Sequence, residues 1–292
     1  MIKYNPKLWF KHIFTFRKSD TIVVLWKEMI YIGLFTTILA YLVLNYVEDE
    51  FHVSVLGKLK DVFSLIGFVL SLLLVFRTNS AYDRWWEGRK KWGELINNSR
   101  NLAIKVDTMT KNKTSHEFFS RMIPNYAFAM KEHLREGVLI HELELTEEEL
   151  IEINKKAHKT SYIAQKMYAK LNEMKVSKEL SEEEFLSIDD NLKNFSNITG
   201  ACERIKNTPI PHSYSSFLKK FIFVFVCTMP LSFVSSFGYF SAFIAIFIFY
   251  ILVSMEVLAE EIEDPFGRDE NDLPTDGLCV KIKDNVKEIL EH

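Results

Sequence analysis

Apolar residues are concentrated in four runs along the chain, and the segments between the runs are polar. Met29–Val47 and Val62–Phe76 contain no charged residue, and the other two runs are Phe217–Phe237 and Tyr239–Leu258. A helix needs about 20 mainly apolar residues to cross the hydrocarbon of a bilayer. The second run is shorter than this, but a flanking Arg77 can extend its charged end to the interface. The pattern therefore predicts four transmembrane helices.

Residues 78–216 contain no spanning run and have the periodicity of amphipathic helices. Thr146 and Ser181 are each followed three residues later by a glutamate, which is the capping-box pattern of a helix start. Thr208–Pro211, with two prolines, predicts the end of this helical segment, and Pro230 predicts a kink in the third run. Strand-like alternation is scarce. The predicted fold is an all-α membrane protein with four transmembrane helices and a cytoplasmic helical domain.

These patterns give predicted boundaries for five segments. They are an amphipathic N-terminal segment over 1–20, transmembrane helices 1 and 2 over 21–77, the cytoplasmic domain over 78–216, transmembrane helices 3 and 4 over 217–260, and a cytoplasmic tail over 261–292.

The distribution of charge predicts the orientation of the spans. The N-terminal segment, the stretch Arg77–Lys91 and the pair Lys219–Lys220 are basic, whereas Glu48–Glu50 make the loop after the first run acidic. Basic segments stay on the cytoplasmic side of a membrane. No secretory signal peptide is recognised. We expect a multi-pass protein of the inner (plasma) membrane with both termini in the cytoplasm.

The second run carries a regular stripe of large side chains. Phe68, Leu72 and Phe76 follow one another at i, i+4 and i+8, so a helix places them on one face. Such a stripe either faces lipid or a neighbouring helix, or it lines a narrow pore that dewetting can gate. Gly67 lies beside the stripe, where it would let helices approach closely in a ring.

Composition and motifs exclude several other functions. The net charge of −3 with 26% charged residues does not favour nucleic acid as a partner. The sequence has no GxxxxGK[ST], GxGxxG, GxSxG or HExxH motif, so we expect neither an enzyme nor a bound cofactor. His133 and His141 fit no common metal motif and are interpreted as surface residues. Three well-separated cysteines indicate reduced thiols.

Three blocks of sequence resemble the bestrophin family, in particular its bacterial homologues. They are Phe76–Gly93, Cys202–Pro211 and Glu263–Pro274, which contain FRTNSAYDRWWEGRKKWG, CERIKNTPIP and EDPFGRDENDLP. The resemblance implies a homopentameric ion channel whose second span lines an apolar neck. The neck positions fall on Phe68, Leu72 and Phe76. It also implies a lower constriction on the helix that starts near Phe185, with Leu186 and Ile188 as candidates.

In animal members of the family, the segment after the last span binds calcium. The matching positions are Glu261, Asp264, Asp269 and Asp272, which are oxygen ligands of the type that calcium uses. Arg268 places a cation inside this acidic run, and the resemblance to bacterial members implies no calcium control. We therefore predict no metal here and interpret the segment as a turn.

The resulting hypothesis is an ion channel that passes small monovalent ions through a hydrophobic neck. The acidic outer loop favours cations, and anions remain possible. The expected partners are further copies of the same chain in a homo-oligomer (a pentamer by resemblance), membrane lipid and small inorganic ions. The alternatives are a secondary transporter, a membrane-bound enzyme and a non-conducting membrane scaffold. The sequence lacks the internal repeats and mid-membrane charges of a transporter.

Overall fold

The computed structural model describes residues 21–47, 50–135 and 137–291, and it describes no side chain of residues 50–57. The predicted amphipathic segment 1–20 and the acidic side chains of Glu48–Glu50 therefore lie outside the described residues. The described chain is helical and contains no β-strand. Its α-helices are α1 (Thr21–Tyr46), α2 (Glu50–Met109), α3 (Lys113–His133), α4 (Glu147–Asn154), α5 (Lys159–Val176), α6 (Glu182–Asn207), α7 (His212–Thr228), α8 (Pro230–Phe237), α9 (Ser241–Glu263) and α10 (Thr275–Leu290).

The starts and ends of several helices follow from local sequence. The Thr146 and Ser181 side chains each accept a hydrogen bond from the backbone three residues later, and the glutamate at that position bonds back, so both capping boxes form. Pro209 and Pro211 lie between α6 and α7, as the sequence predicted. Pro230 ends α7 and becomes the first residue of α8, because proline fits the first turn of a helix but not its interior.

Contacts divide the chain into two units. The apolar unit comprises the described residues of 21–83 and 209–263, and the polar unit comprises 84–208 and 264–291. These limits differ from the predicted boundaries at 78 and 216. The C-terminal segment from residue 264 also belongs to the polar unit, where α10 packs against α3. Helix α2 runs for 60 residues without a break through the predicted boundary at 77.

In the apolar unit, α1, α2, α7 and α9 share a core that includes Ile32, Leu70, Leu74, Phe225 and Phe249. Two glycines make room for side chains of neighbouring helices. A Cβ atom at Gly33 would lie 2.8 Å from Ile246, and one at Gly67 would lie 3.3 Å from Phe225. Gly67 therefore accommodates the side chain of Phe225, on α7 of the same chain.

Three described stretches are long and apolar enough to cross a membrane. They are Thr21–Tyr46, Lys58–Met109 and Glu182–Glu263. The last stretch contains both the third and the fourth apolar run, so the number of four spans stays a prediction.

The polar unit has its own hydrophobic core, in which Trp92, Phe119, Tyr126 and Phe195 are fully or almost fully buried. The hydroxyl of Tyr126 donates to the carbonyl oxygen of Phe195 at 3.0 Å, and burial raises the pKa of Tyr126 to about 12. Charged residues also lie inside this unit.

The ammonium group of Lys131, on α3, is buried among carboxylates. It lies 2.8 Å from both Glu142 and Asp276 and 3.2 Å from Glu132. Asp276 also pairs with Arg135 at 2.9 Å. Arg135 and Lys131 hold the pKa of Asp276 well below its usual range. This network fixes the start of α10 on α3.

Candidate functional site: an exposed apolar stripe on helix α2

Phe68, Leu72 and Phe76 are exposed on one face of α2. Their exposed fractions are 67%, 44% and 55%, although all three are large apolar side chains. Leu70 and Leu74 of the same helix are 0% and 3% exposed. At 3.6 residues per turn, the three exposed side chains lie about 180° around the helix from these two leucines. The chain therefore packs one face of α2 and leaves the opposite face without a partner.

The exposed stripe has polar side chains at both ends. Asp61 precedes it and Asn79 and Asp83 follow it on the same helical face, and all three are exposed. A narrow pore has an apolar constriction and opens into water at each end. An apolar segment with carboxylates and an amide at its two ends has this arrangement. Leu65 lies on the same face, is 65% exposed, and extends the apolar segment by one turn. Sequence reasoning missed Leu65, although its spacing of three residues from Phe68 was a usable signal.

A second apolar stripe of the same spacing is exposed on α9. It consists of Phe243, Phe247 and Ile251. The aromatic side chains of Tyr239 and Phe240 precede this stripe and are also exposed. Aromatic residues next to an apolar helical face are typical of a surface at the lipid interface. The two stripes therefore differ in what surrounds them, and only the α2 stripe has carboxylates on its own face at both ends.

Arg77, directly after the stripe, has a different role from the one predicted. Its side chain is 1% exposed. It is therefore buried by the chain itself and does not extend toward a membrane–water interface. Its Nη2 atom lies 2.5 Å from Oε2 of Glu263, and its Nε atom lies 3.8 Å from Glu256. The second carboxylate oxygen of Glu263 accepts the backbone N–H of Ile210 at 2.6 Å. The end of the stripe is thus fixed by a buried ion pair to the end of α9.

Arg84 binds the C-terminal end of α6. Its guanidinium donates to the carbonyl oxygens of Ile205 and Thr208, which are acceptors that the C-terminus of α6 leaves without an intrahelical partner. Trp85 beside it donates its indole N–H to the carbonyl oxygen of Asn271 at 3.0 Å. These two side chains hold the polar unit together.

The two candidates for the lower constriction lie in different environments. Leu186, in the first turns of α6, is 59% exposed, whereas Ile188 is fully buried in the core of the polar unit. A side chain within that core does not reach a water-filled path. Leu186 is the one of the pair that can line a constriction.

The tail carboxylates form a turn. Asp264 accepts the backbone N–H of Phe266 at 3.3 Å, and Asp272 accepts the backbone N–H of Asp269 at 2.6 Å. Asp272 is buried, and burial together with the Asp269 and Asp264 carboxylates raises its pKa to about 6. Arg268 pairs with Glu132 at 3.3 Å.

A group of metal-ligating atoms within 4.8 Å of one another occurs elsewhere among the described residues, at His133, His158 and Glu203.

A family model described as Bacterial/Fungal Bestrophin protein matches residues 1–288. The chain belongs to this family. The resemblance to bestrophins that the sequence indicated is thereby confirmed.

Relatives of this bestrophin include proteins named as channels. It is 32% identical over 290 residues to a voltage-dependent anion channel-forming protein of Nostoc sp., covering 97% of this chain and 92% of that protein. It is 34% identical over 226 residues to the voltage-dependent anion channel-forming protein YneE of Escherichia coli (strain K12), covering 76% and 73%. The membership confirms the expectation that the protein is not an enzyme and supports its location in a membrane.

Solved structures support the fold. A crystal structure of a bacterial bestrophin homologue from Klebsiella pneumoniae matches with a TM-score of 0.82 at 26% identity, over 90% of this chain and 97% of that chain. A crystal structure described only as that of a membrane protein matches with a TM-score of 0.83 at 25% identity, over 92% and 99%. The all-α fold predicted from the sequence is confirmed.

Proposed function

We propose that this bestrophin forms an ion channel in the inner membrane, with both termini in the cytoplasm, and that α2 of each subunit lines its neck. The observation that carries the proposal is the exposed stripe of Phe68, Leu72 and Phe76 between Asp61 and Asn79. A face of this kind is unfavourable toward water unless another copy of the chain or lipid covers it. The names of the Nostoc and Escherichia coli relatives support channel formation.

The neck is proposed to form at the centre of a homopentamer. Five copies of the stripe would give three stacked apolar rings, which resist wetting and so limit ion flow. Leu at position 72 keeps the middle ring apolar. The α9 stripe of Phe243, Phe247 and Ile251 would face lipid.

The permeant ions are proposed to be small and monovalent. Asp61 and Asp83, at the two ends of the stripe, favour cations through their negative charge. The names of these relatives instead specify anions and lean against the cation preference that the sequence indicated. An apolar ring has no preference of its own for ions of either sign.

Leu186 is proposed to line the second constriction, because its side chain is exposed in the first turns of α6. No metal is assigned to the tail turn. Asp272 instead bonds its own loop backbone there.

The test is electrical recording from purified protein in planar bilayers with a sodium chloride gradient. Discrete current steps are expected, and the sign of the reversal potential identifies the permeant ion. The mass of the same preparation in detergent should correspond to five chains of 34.2 kDa each. A saturable flux without current steps would contradict the channel, and a stable complex of another size would contradict the pentamer.

A further inference from the structure

Two histidines and one glutamate from three different helices meet in the polar unit. His133 is the last residue of α3, His158 is the N-cap residue of α5, and Glu203 lies in the last turns of α6. The Nε2 atoms of His133 and His158 lie 2.6 Å and 2.9 Å from the same carboxylate oxygen, Oε1 of Glu203. The two imidazole rings lie 4.6 Å apart between centroids. One potential ligand atom from each residue therefore points to a common centre.

The hydrogen bonds of His158 determine where its proton lies. Its Nδ1 atom accepts the backbone N–H of Ser161 at 3.3 Å, and a backbone N–H can only donate. In the neutral ring the proton is then on Nε2, which donates to Glu203. The hydroxyl oxygens of Thr160 and Ser161 both lie 2.8 Å from Nδ1. When Nε2 binds a metal, the ring proton moves to Nδ1, which then loses the hydrogen bond from the Ser161 backbone and donates one to either hydroxyl oxygen. Such a hydrogen bond from the second ring nitrogen supports a metal-binding histidine.

The same three groups suit a metal ion that displaces the protons from the Nε2 atoms of the two histidines. We propose that His133, His158 and Glu203 bind a divalent transition-metal ion of the zinc class. Two imidazole nitrogens and one carboxylate oxygen form a ligand set that zinc accepts, with a water in the fourth position. Calcium and magnesium prefer oxygen ligands throughout. The site is therefore distinct in chemistry from the acidic tail.

The geometry requires only a small adjustment. Tetrahedral zinc with bonds of about 2.0–2.1 Å separates its ligand atoms by about 3.3 Å. The observed separations of 2.6 Å and 2.9 Å are those of hydrogen bonds and must lengthen by about half an ångström. All three side chains are partly exposed, so they have room to move and space for a water ligand. A bound ion would join the ends of α3 and α6 to the start of α5.

Binding of the metal itself tests the proposal independently of ion conduction. The full-length protein, without a histidine tag, is treated with a chelator and then dialysed against zinc chloride or cobalt chloride. We expect one metal ion per chain by elemental analysis and a cobalt absorption spectrum typical of tetrahedral coordination, which zinc displaces. Bound zinc should also raise the melting temperature of the protein.

Two variants remove ligands with little change of shape. His133→Gln and Glu203→Gln should each weaken zinc binding at least about tenfold and abolish the tetrahedral cobalt spectrum. His141→Gln is the matched control, since His141 lies outside the cluster in the same unit, and it should bind zinc as the wild type does. His158 is not substituted, because its side chain also caps α5. Wild-type protein that binds no zinc, or variants that bind it with unchanged affinity, would overturn the proposal.

Discussion

Arg77, which is 1% exposed, and Glu263, which is 14% exposed, form a largely buried ion pair at the end of the apolar stripe, with 2.5 Å between Nη2 and Oε2. Arg77 directly follows Phe76, the last of the proposed neck residues. The pair therefore connects the helix that carries the stripe to the last residue of α9. Any movement of the stripe along its axis has to carry this ion pair with it or break it.

Removal of one partner should destabilise the protein strongly. Glu263→Gln keeps the shape of the side chain but leaves the guanidinium of Arg77 buried without its nearest counter-charge. Breaking a buried pair in this way costs about 3–5 kcal/mol. We expect a loss of this size in the free energy of unfolding, measured by denaturant titration in detergent.

The control for this prediction is an exposed ion pair in the same unit. Lys219 and Glu260 lie 2.9 Å apart with both side chains about half exposed. Lys219→Met should cost at most about 1 kcal/mol, because water screens such a pair. Equal effects of Glu263→Gln and Lys219→Met would show that Arg77 and Glu263 do not form a buried pair in the folded protein.

Asp272 should make the polar unit less stable as the pH rises. Its folded pKa of about 6 is above the value of about 3.9 in an unfolded chain. A raised pKa favours folding below the unfolded value and loses this contribution as the pH passes the folded value. Between pH 4 and pH 7, the wild type should therefore lose about 1–3 kcal/mol relative to Asp272→Asn.

Thermal or chemical unfolding of wild type and Asp272→Asn across this pH range measures the difference directly. Asp284→Asn, on the exposed face of α10, is the control and should follow the wild type at every pH. A constant difference between Asp272→Asn and the wild type would mean that Asp272 does not titrate in this range.

Truncation of Ile188 should lower the stability of the protein, whereas truncation of Leu186 should change its conductance. Ile188→Ala removes a fully buried side chain and should cost about 2–5 kcal/mol of stability. Leu186→Ala removes an exposed one and should change stability by less than about 0.5 kcal/mol, while it raises the single-channel conductance. Unfolding measurements on the two variants check the stabilities, and bilayer recordings check the conductances. A conductance unchanged by Leu186→Ala would show that Leu186 does not line the second constriction.

The features that the sequence predicted correctly depend on neighbouring residues. The capping boxes at Thr146 and Ser181 need partners three residues away, and the prolines near 209 and 230 act on their own helix ends. The shared face of Phe68, Leu72 and Phe76 likewise follows from helical spacing alone. These local rules are sufficient to place the starts of α4 and α6 and the ends of α6 and α7.

The features that the sequence missed depend on residues far apart in the chain. Arg77 pairs with Glu263, which lies 186 residues later in the chain. No local sequence pattern identifies which of several glutamates is its partner. Leu186 and Ile188 are equally apolar and differ only in which side of α6 meets the core. His133, His158 and Glu203 come from three helices, so their meeting required the packing of the polar unit.

The most direct test of the central claim compares the two exposed stripes in liposomes. Phe68, Leu72 and Phe76 are all changed to Ala in one variant, and Phe243, Phe247 and Ile251 of α9 are all changed to Ala in the other. The two triple variants remove similar apolar side chains at the same spacing from exposed helical faces. Ion flux is measured under separate sodium and chloride gradients.

The α2 variant should raise the flux at least about tenfold, which corresponds to a barrier lower by about 1.4 kcal/mol. The α9 variant should conduct as the wild type does, because its stripe is proposed to face lipid. A flux that is unchanged in the α2 variant, or that rises only in the α9 variant, would contradict a neck formed by Phe68, Leu72 and Phe76.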